Sequence, residues 1–270
     1  MSVSVVTSPA NRPDGHRVLF ADLLRSEWTK LRTLRSTAWT LASAILLAAG
    51  FGALFMSRYQ RPGIAAAYRP GPYSLSGFYL AQLPVVVLGA LIMTGEFSTG
   101  SIRAACAAVP QRQALLAAKA VVLAAVCAVT GIVTSLAAFF LGQALIGKGQ
   151  LEAHLGDPGV ARAIIGFALY LTVAGLLALG VGTLIPHAAG AIATAVGLLL
   201  VLPQLAKALP ASLQNTVQEY LPSNAGQAII GQNKFAPAHL LPPWAGLGVF
   251  CACAAATLIG AAVILDRRDL

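Results

Sequence analysis

Residues 163–202 read AIIGFALYLTVAGLLALGVGTLI, then Pro186-His187, then AAGAIATAVGLLLVL, with no Asp, Glu, Lys or Arg. A helix needs about 20 apolar residues to cross a bilayer. The first run, 163–185, meets that length. The second, 188–202, falls short unless it continues past Pro203 toward Leu209. Proline removes a backbone donor, so the continuation is expected to be kinked. The two residues between the runs leave room only for a tight helical hairpin. Working outward, four further runs are long and apolar enough: 37–56, 78–95, 114–146 and 244–265. The run at 114–146 is long enough to include helix outside the lipid. The expected fold class is an all-α membrane protein with six transmembrane helices.

Composition agrees. The 270 residues are 57% hydrophobic and 10% charged, and the mean hydropathy is +0.77. A soluble domain carries about 25% charged residues. Too few charges are present here to cover a water-facing surface, and disorder needs the opposite balance. The net charge of +9 would suggest nucleic acid in a soluble protein. Here the basic residues fall mostly between apolar runs and read as topology signals, with no nucleic-acid partner expected. Cys127, Cys251 and Cys253 lie in apolar runs and Cys106 in a polar connection, with no C-x-x-C pair. They read as small apolar filler.

Six spans put both termini on one side. That side carries 11 of the Lys and Arg residues and the other 7: Arg58, Arg61, Arg69, Lys148, Arg162, Lys207 and Lys234. The positive-inside rule then predicts cytoplasmic termini. The first apolar run follows about 36 polar residues and exceeds the 7–15-residue core of a signal peptide, so no cleavable signal is expected. Residues 1–16, with Pro9, Pro13 and Gly15, read as a disordered tail, and 266–270 as a short cytoplasmic tail. The outward connection 203–243 is apolar. Leu205, Leu209, Leu213, Val217 and Leu221 recur at helical spacing, which predicts short helices lying on or dipping into the outer face.

Residues 17–36 place Phe20, Leu23, Leu24, Trp28, Leu31 and Leu34 at three- and four-residue steps, with Arg25, Thr29, Arg32 and Ser36 opposite. This predicts an amphipathic helix at the cytoplasmic interface, with Trp28 suited to the headgroup layer. It serves as a membrane anchor or, in addition, as a docking surface for a soluble partner. The connection after the second span reads Glu96-Phe97-Ser98-Thr99-Gly100-Ser101-Ile102-Arg103, then Pro110-Gln111-Arg112 and Lys119. A carboxylate at a span end needs pairing or hydration. Arg103, two turns away, and the Ser98–Ser101 hydroxyls are the expected neighbours of Glu96. Gly100 permits a sharp turn, Pro110 ends a short helix, and Arg112 and Lys119 mark entry to the third span. The plain alternative is an ordinary basic loop.

This pattern, Glu-x-x-x-Gly-Ser-Ile-Arg with Pro-x-Arg and Lys following, resembles the loop between the second and third spans of ABC-2-type transporter permeases. The segment Arg25-Ser-Glu-Trp-Thr-Lys-Leu-Arg-Thr-Leu-Arg-Ser36 is similar to that family's entry helix. Tyr220-Leu-Pro-Ser-Asn-Ala-Gly226 and the tail Asp266-Arg-Arg-Asp269 resemble its outer segment and its charged ending. Ser101 departs from the pattern, since many members carry Thr there, but it keeps the hydroxyl.

The resemblance implies a permease subunit without its own ATPase, and so not an enzyme. It implies a dimer with a second permease subunit, expected to be a homodimer, on two copies of an ABC ATP-binding subunit that holds the ATP and Mg. It implies that 37–265 form the transmembrane domain in a bacterial cell membrane, with 96–113 as the ATPase-coupling segment. Glu96, Gly100, Ser101, Arg103, Pro110, Arg112 and Lys119 then belong to the coupling element, and Glu27, Trp28, Lys30 and Arg32 to the interface helix. Family members usually export, with the second and fifth spans lining the path. Gln82, Pro84, Thr94, Thr194 and Gln204 are the candidate lining residues here, against the alternative that such polar residues only join helices. The midspan positions hold no charge, which favours an amphipathic or apolar cargo such as a drug, lipid or natural product.

The same residues speak against other classes. Gly142-x-x-x-x-Gly147-Lys148 lacks the Ser or Thr of a Walker A loop, because Gly149 follows, and no strand precedes it. His16, His154, His187 and His239 lie outside spans or at their ends, so an intramembrane enzyme lacks its groups. A secondary transporter would show midplane ionisable residues. A non-transporting anchor or immunity protein remains the main alternative.

Overall fold

A computed structural model describes residues 19–59, 63–108, 111–146, 153–231 and 241–268. Among these residues the structure is all helical, and six helices are long and apolar enough to cross a membrane. The chain is thus a multi-pass helical membrane protein by length and composition.

The first element, α1 (Phe20–Thr33), is separated from the first span, α2 (Arg35–Met56), by Leu34 alone, whose backbone is extended. The interface helix expected over 17–36 therefore stops three residues early, and the span begins two residues before 37. After α2 come two short helices not expected from the sequence, α3 (Ile64–Ala67) and α4 (Pro70–Ser74), and a 3₁₀ turn at Leu75–Gly77. Pro70 and Pro72 both lie in the first turn of α4. Proline at a first helical turn costs little, because its missing N–H would be unpaired there anyway. The second membrane element thus runs Pro70–Thr99, with α5 (Phe78–Thr99) as its regular part. Gly100, at φ 69, turns the chain into α6 (Ser101–Ala108). Only glycine takes that left-handed cap freely.

Three more elements complete the bundle: α7 (Arg112–Ile146), α8 (Val160–Leu184) and the hairpin partner of α8. That partner is built from α9 (Ala188–Val196), a π-turn at Gly197–Val201, α10 (Leu202–Leu205) and a 3₁₀ turn at Ala206–Ala208. The expected distortion at Pro203 appears as the π-turn just before it, where widening the helix relieves the clash with the proline ring. The outer connection contains α11 (Ala211–Tyr220) and α12 (Pro222–Gln227), and α13 (Pro243–Arg267) is the sixth span. Leu213, Val217 and Tyr220 of α11 are exposed, whereas every residue of α12 is buried in the bundle.

The most buried spans are α8 and the second span, while α2, the fifth span and α13 lie outside. Small residues bring these helices together. A Cβ on Gly89 of α5 would lie 2.4 Å from the carbonyl oxygen of Gly175 in α8, and one on Gly77 would lie 1.9 Å from the oxygen of Ala48. Lipid tails give apolar helices no reason to associate, so such close backbone approach supplies the packing energy. Around it Phe78, Val85, Leu123, Phe167, Leu171 and Leu177 form one contiguous core.

Candidate functional site

The α1 end of the bundle gathers four charges from three separate elements. Glu27 and Lys30 come from α1, Glu96 from the last turn of α5, and Lys119 from the second turn of α7. Lys119 Nζ donates to Glu27 Oε2 at 2.9 Å and to Glu96 Oε1 at 2.6 Å. Lys30 Nζ donates to Glu27 Oε1 at 2.7 Å and to Glu96 Oε1 at 3.0 Å. The result is a closed, net-neutral ring in which each ammonium bridges both carboxylates. Lys119 is 2% exposed and Glu27 3%, so the ring is an internal structure and not a surface ion pair.

The helix geometry explains how α1 reaches it. Leu23, Glu27 and Leu31 follow at four-residue steps and form the buried edge of α1. Residues four apart share a helix face, so Glu27 is carried inward between two leucines. Phe20 and Trp28 remain exposed on the other edge of the apolar stripe. Partial burial pulls the Lys30 ammonium down. Its bonds to Glu27 and Glu96 outweigh that and hold it above the ordinary lysine value.

One expectation is corrected here. Arg103 is exposed and does not pair with Glu96; the lysines do. Lys119 stands near the entry to the third span, as expected, and is in addition the buried centre of the ring. The sequence pattern carried all four residues, but nothing in it showed that α1 would fold back against α7.

Beside the ring lies a cavity of about 470 Å³. All four ring residues, Glu27, Lys30, Glu96 and Lys119, line it, with Thr33, Thr99 and Ser101 as further polar residues, Leu31, Leu34, Leu91 and Ile92 on its apolar side, and Gly95 at its wall. Glu96 Oε2 is buried and has no hydrogen-bond partner. Thr99 Oγ1 and Ser101 Oγ lie 2.9 Å apart across the Gly100 turn. Ile102 at the start of α6 is buried, while its neighbours Ser101 and Arg103 are exposed. Pro110 lies outside the described residues.

Arg112 has a different setting. Its Nη1 donates to the carbonyl oxygens of Leu265 and Arg268, at the end of α13. Arg268 in turn donates to the carbonyls of Thr183 and Leu184 at 3.2 and 3.0 Å, closing the end of α8, and stands over the Phe97 ring. Helix ends leave their last carbonyls unpaired, and a cation there satisfies both bond and dipole. Arg112 is thus a capping residue for a neighbouring span.

The candidate path residues separate into two groups. Gln82 is buried and accepts a 2.6 Å bond from the Tyr170 hydroxyl on α8, and Thr94 is buried with its hydroxyl on the Ala90 carbonyl. Both are used inside one chain. Pro84 is half-buried, while Thr194 and Gln204 are exposed on the fifth span. Gln204 donates to the Tyr79 hydroxyl at 2.6 Å, a contact that brings Tyr79 of the second span to the same surface. Arg32 of α1 is exposed. Among the described residues, no three His, Cys, Asp or Glu side chains converge as a metal site.

No family model matches the chain, and no curated protein matches it.

Proposed function

We propose that this chain is the permease subunit of a bacterial ABC-2-type exporter, acting as a homodimer on two copies of a separate ATP-binding subunit. It sits in the plasma membrane with both termini cytoplasmic and moves an amphipathic or apolar substrate outward. The observation that carries this reading is the four-charge ring, which ties α1 to the base of the second and third spans beside the exposed α6. A rigid connection of that kind is what force transfer from a soluble ATPase needs, since the two states must differ in contact energy.

In this reading the named residues take distinct parts. Ser101 and Arg103, exposed on α6, contact the ATPase. Gly100 lets α6 leave the span at a sharp angle. Glu27, Lys30, Glu96 and Lys119 are positioning residues that hold α1 and α6 in register. Trp28 anchors α1 in the headgroup layer, and Arg32 faces the same aqueous side. Thr194 and Gln204, exposed on the fifth span, are the path candidates that a second subunit would face. The absence of midspan charge fits a cargo that carries little charge through the bilayer.

The test is purification of the tagged full chain from its native membranes in mild detergent, with mass spectrometry of what co-purifies. A stoichiometric soluble protein with Walker A and ABC signature sequences is the expected result. Recovery of the chain without any ATPase, under conditions that keep a known ABC exporter intact, would sink the proposal.

A further inference from the structure

We propose that Arg268 is a positioning residue that passes movement of the α6 loop on to the fifth span. The inference rests on the transport reading above and adds the route that the movement takes inside the chain.

Both feet of the α6 loop stand on the end of α13. Phe97, in the last turn of α5, has its ring 5.4 Å from the central carbon of the Arg268 guanidinium. Arg112, the first residue of α7, donates from Nη1 to the Leu265 and Arg268 carbonyl oxygens. Its neighbour Gln113 donates to Asp266 Oδ2. The Gly100 turn and α6 lie between these two feet, so a partner that displaces α6 loads the end of α13 from both sides.

Arg268 hands that load to α8. Its Nη1 and Nη2 donate to the carbonyl oxygens of Thr183 and Leu184 at 3.2 and 3.0 Å, and these are the last two residues of α8. One turn earlier α8 and α13 are in close contact, because a Cβ on Gly180 would lie 2.6 Å from Thr257 Oγ1. Only Ile185, Pro186 and His187 separate α8 from α9, and the proline stiffens that link by fixing its own φ. A shift at the end of α8 is therefore delivered to the fifth span, which carries Thr194 and Gln204. The four-charge ring joins α1, α5 and α7, and the Arg268 contacts extend the connection to α8 and α13.

The position asks for arginine and not for any cation. One guanidinium forks across two carbonyls and presents its flat face to a ring, whereas an ammonium is a point charge with neither fork nor face. Either cation suits the negative end of a helix dipole. Arg268→Lys thus keeps the capping charge and weakens the link, which separates a positioning role from a stabilising one.

The test uses the full chain purified with its co-purifying ATPase. Cys106, Cys127, Cys251 and Cys253 are replaced by Ala, and an environment-sensitive fluorophore is placed on His187→Cys. His187 is exposed and its side chain makes no capping bond. ATP with vanadate traps the ATPase closed, and the emission shift at 187 is read beside the rate of ATP hydrolysis without vanadate. In this parent protein the emission is expected to shift. In Arg268→Lys hydrolysis is expected to continue at close to the parent rate, while the equilibrium behind the shift falls about tenfold, the factor that one lost hydrogen bond gives. Phe97→Leu removes the ring but keeps an apolar side chain. It is expected to reduce the shift in the same way, and it decides the matter where Arg268→Lys fails to fold. A parent-sized shift in the folded variants overturns the role. So does loss of shift and hydrolysis together, which is what a merely structural arginine gives. A parent that hydrolyses ATP with no shift at 187 overturns this inference alone, whereas recovery of the chain without an ATPase removes the transport reading on which it rests.

Discussion

Lys119 and Glu96 stand on either side of the Gly100 turn and α6, and their charged atoms meet at 2.6 Å. The contact closes the base of the second and third spans, and α1 docks on it through Glu27. A buried ion pair adds little over well-packed apolar residues, but removing one partner strands the other. Lys119→Met should therefore destabilise the protein by about 3–5 kcal/mol, read as a fall in thermal unfolding temperature in detergent. Adding Glu27→Gln and Glu96→Gln to it should recover much of the loss. Additive losses across the three sites would show that the ring is not one coupled unit.

Arg103 and Arg112 both belong to the arginine-bearing loop pattern, yet the structure separates their work. Arg103 is exposed, so Arg103→Ala should change stability by no more than about 0.5 kcal/mol. On the proposed function it should uncouple ATP hydrolysis by the partner from transport in proteoliposomes. Arg112→Ala leaves the Leu265 and Arg268 carbonyls without their donor, which costs about 1–3 kcal/mol, and it should unfold earlier whether or not an ATPase is present. Normal coupled transport by Arg103→Ala would remove α6 from the ATPase contact.

Lys30 sets the pH limit of the α1 docking. Partial burial opposes its charge, but Glu27 and Glu96 prevail and raise it above 10.5. A raised lysine contributes stability that is fully present below its unfolded value and is lost as pH climbs through the folded value. The docking should thus be constant from neutral pH to about pH 10 and loosen only above 10.5. The emission of Trp28, with Trp39 and Trp244 replaced by Phe, would report it. A transition between pH 6 and 9 would point to a different controlling group.

What was legible beforehand follows the physics of each signal. Apolar length gave all six spans, and every observed end lies within four residues of its expected place except the start of the second and the far end of the fifth. The second begins eight residues early, because the apolar run starts only at Phe78, while the proline-bearing segment before it forms an N-terminal turn that tolerates proline. The fifth runs on through a π-turn to Ala208, as Pro203 suggested. The site was legible only in part. Glu96 advertised itself as a carboxylate at a span end that needed a partner, but local spacing offered Arg103. The real partners are Lys119 and Lys30, and contacts 23 and 66 residues apart leave no periodic trace. Glu27 was hidden for a related reason. One edge of its apolar stripe faces protein, so a charge there reads as surface until its partner is known.

The bond between Tyr170 and Gln82 decides whether the second span's polar residues line a path or hold helices together. The hydroxyl and amide meet at 2.6 Å between α5 and α8, with both side chains fully buried. If the pair is glue, Gln82→Leu and Tyr170→Phe should each destabilise by about 1–3 kcal/mol by leaving a buried polar group alone. The double variant should be closer to wild type, because both partners are then apolar. Substrate selectivity in a transport assay should not move in any of the three. Gln204→Leu offers the contrast. Its amide is exposed on the fifth span and bonded to Tyr79, so its loss should leave unfolding nearly unchanged and shift selectivity if that surface meets cargo. Should Gln82→Leu shift selectivity at full stability while Gln204→Leu does not, the path runs between α5 and α8 inside one subunit, and not along the surface of the fifth span.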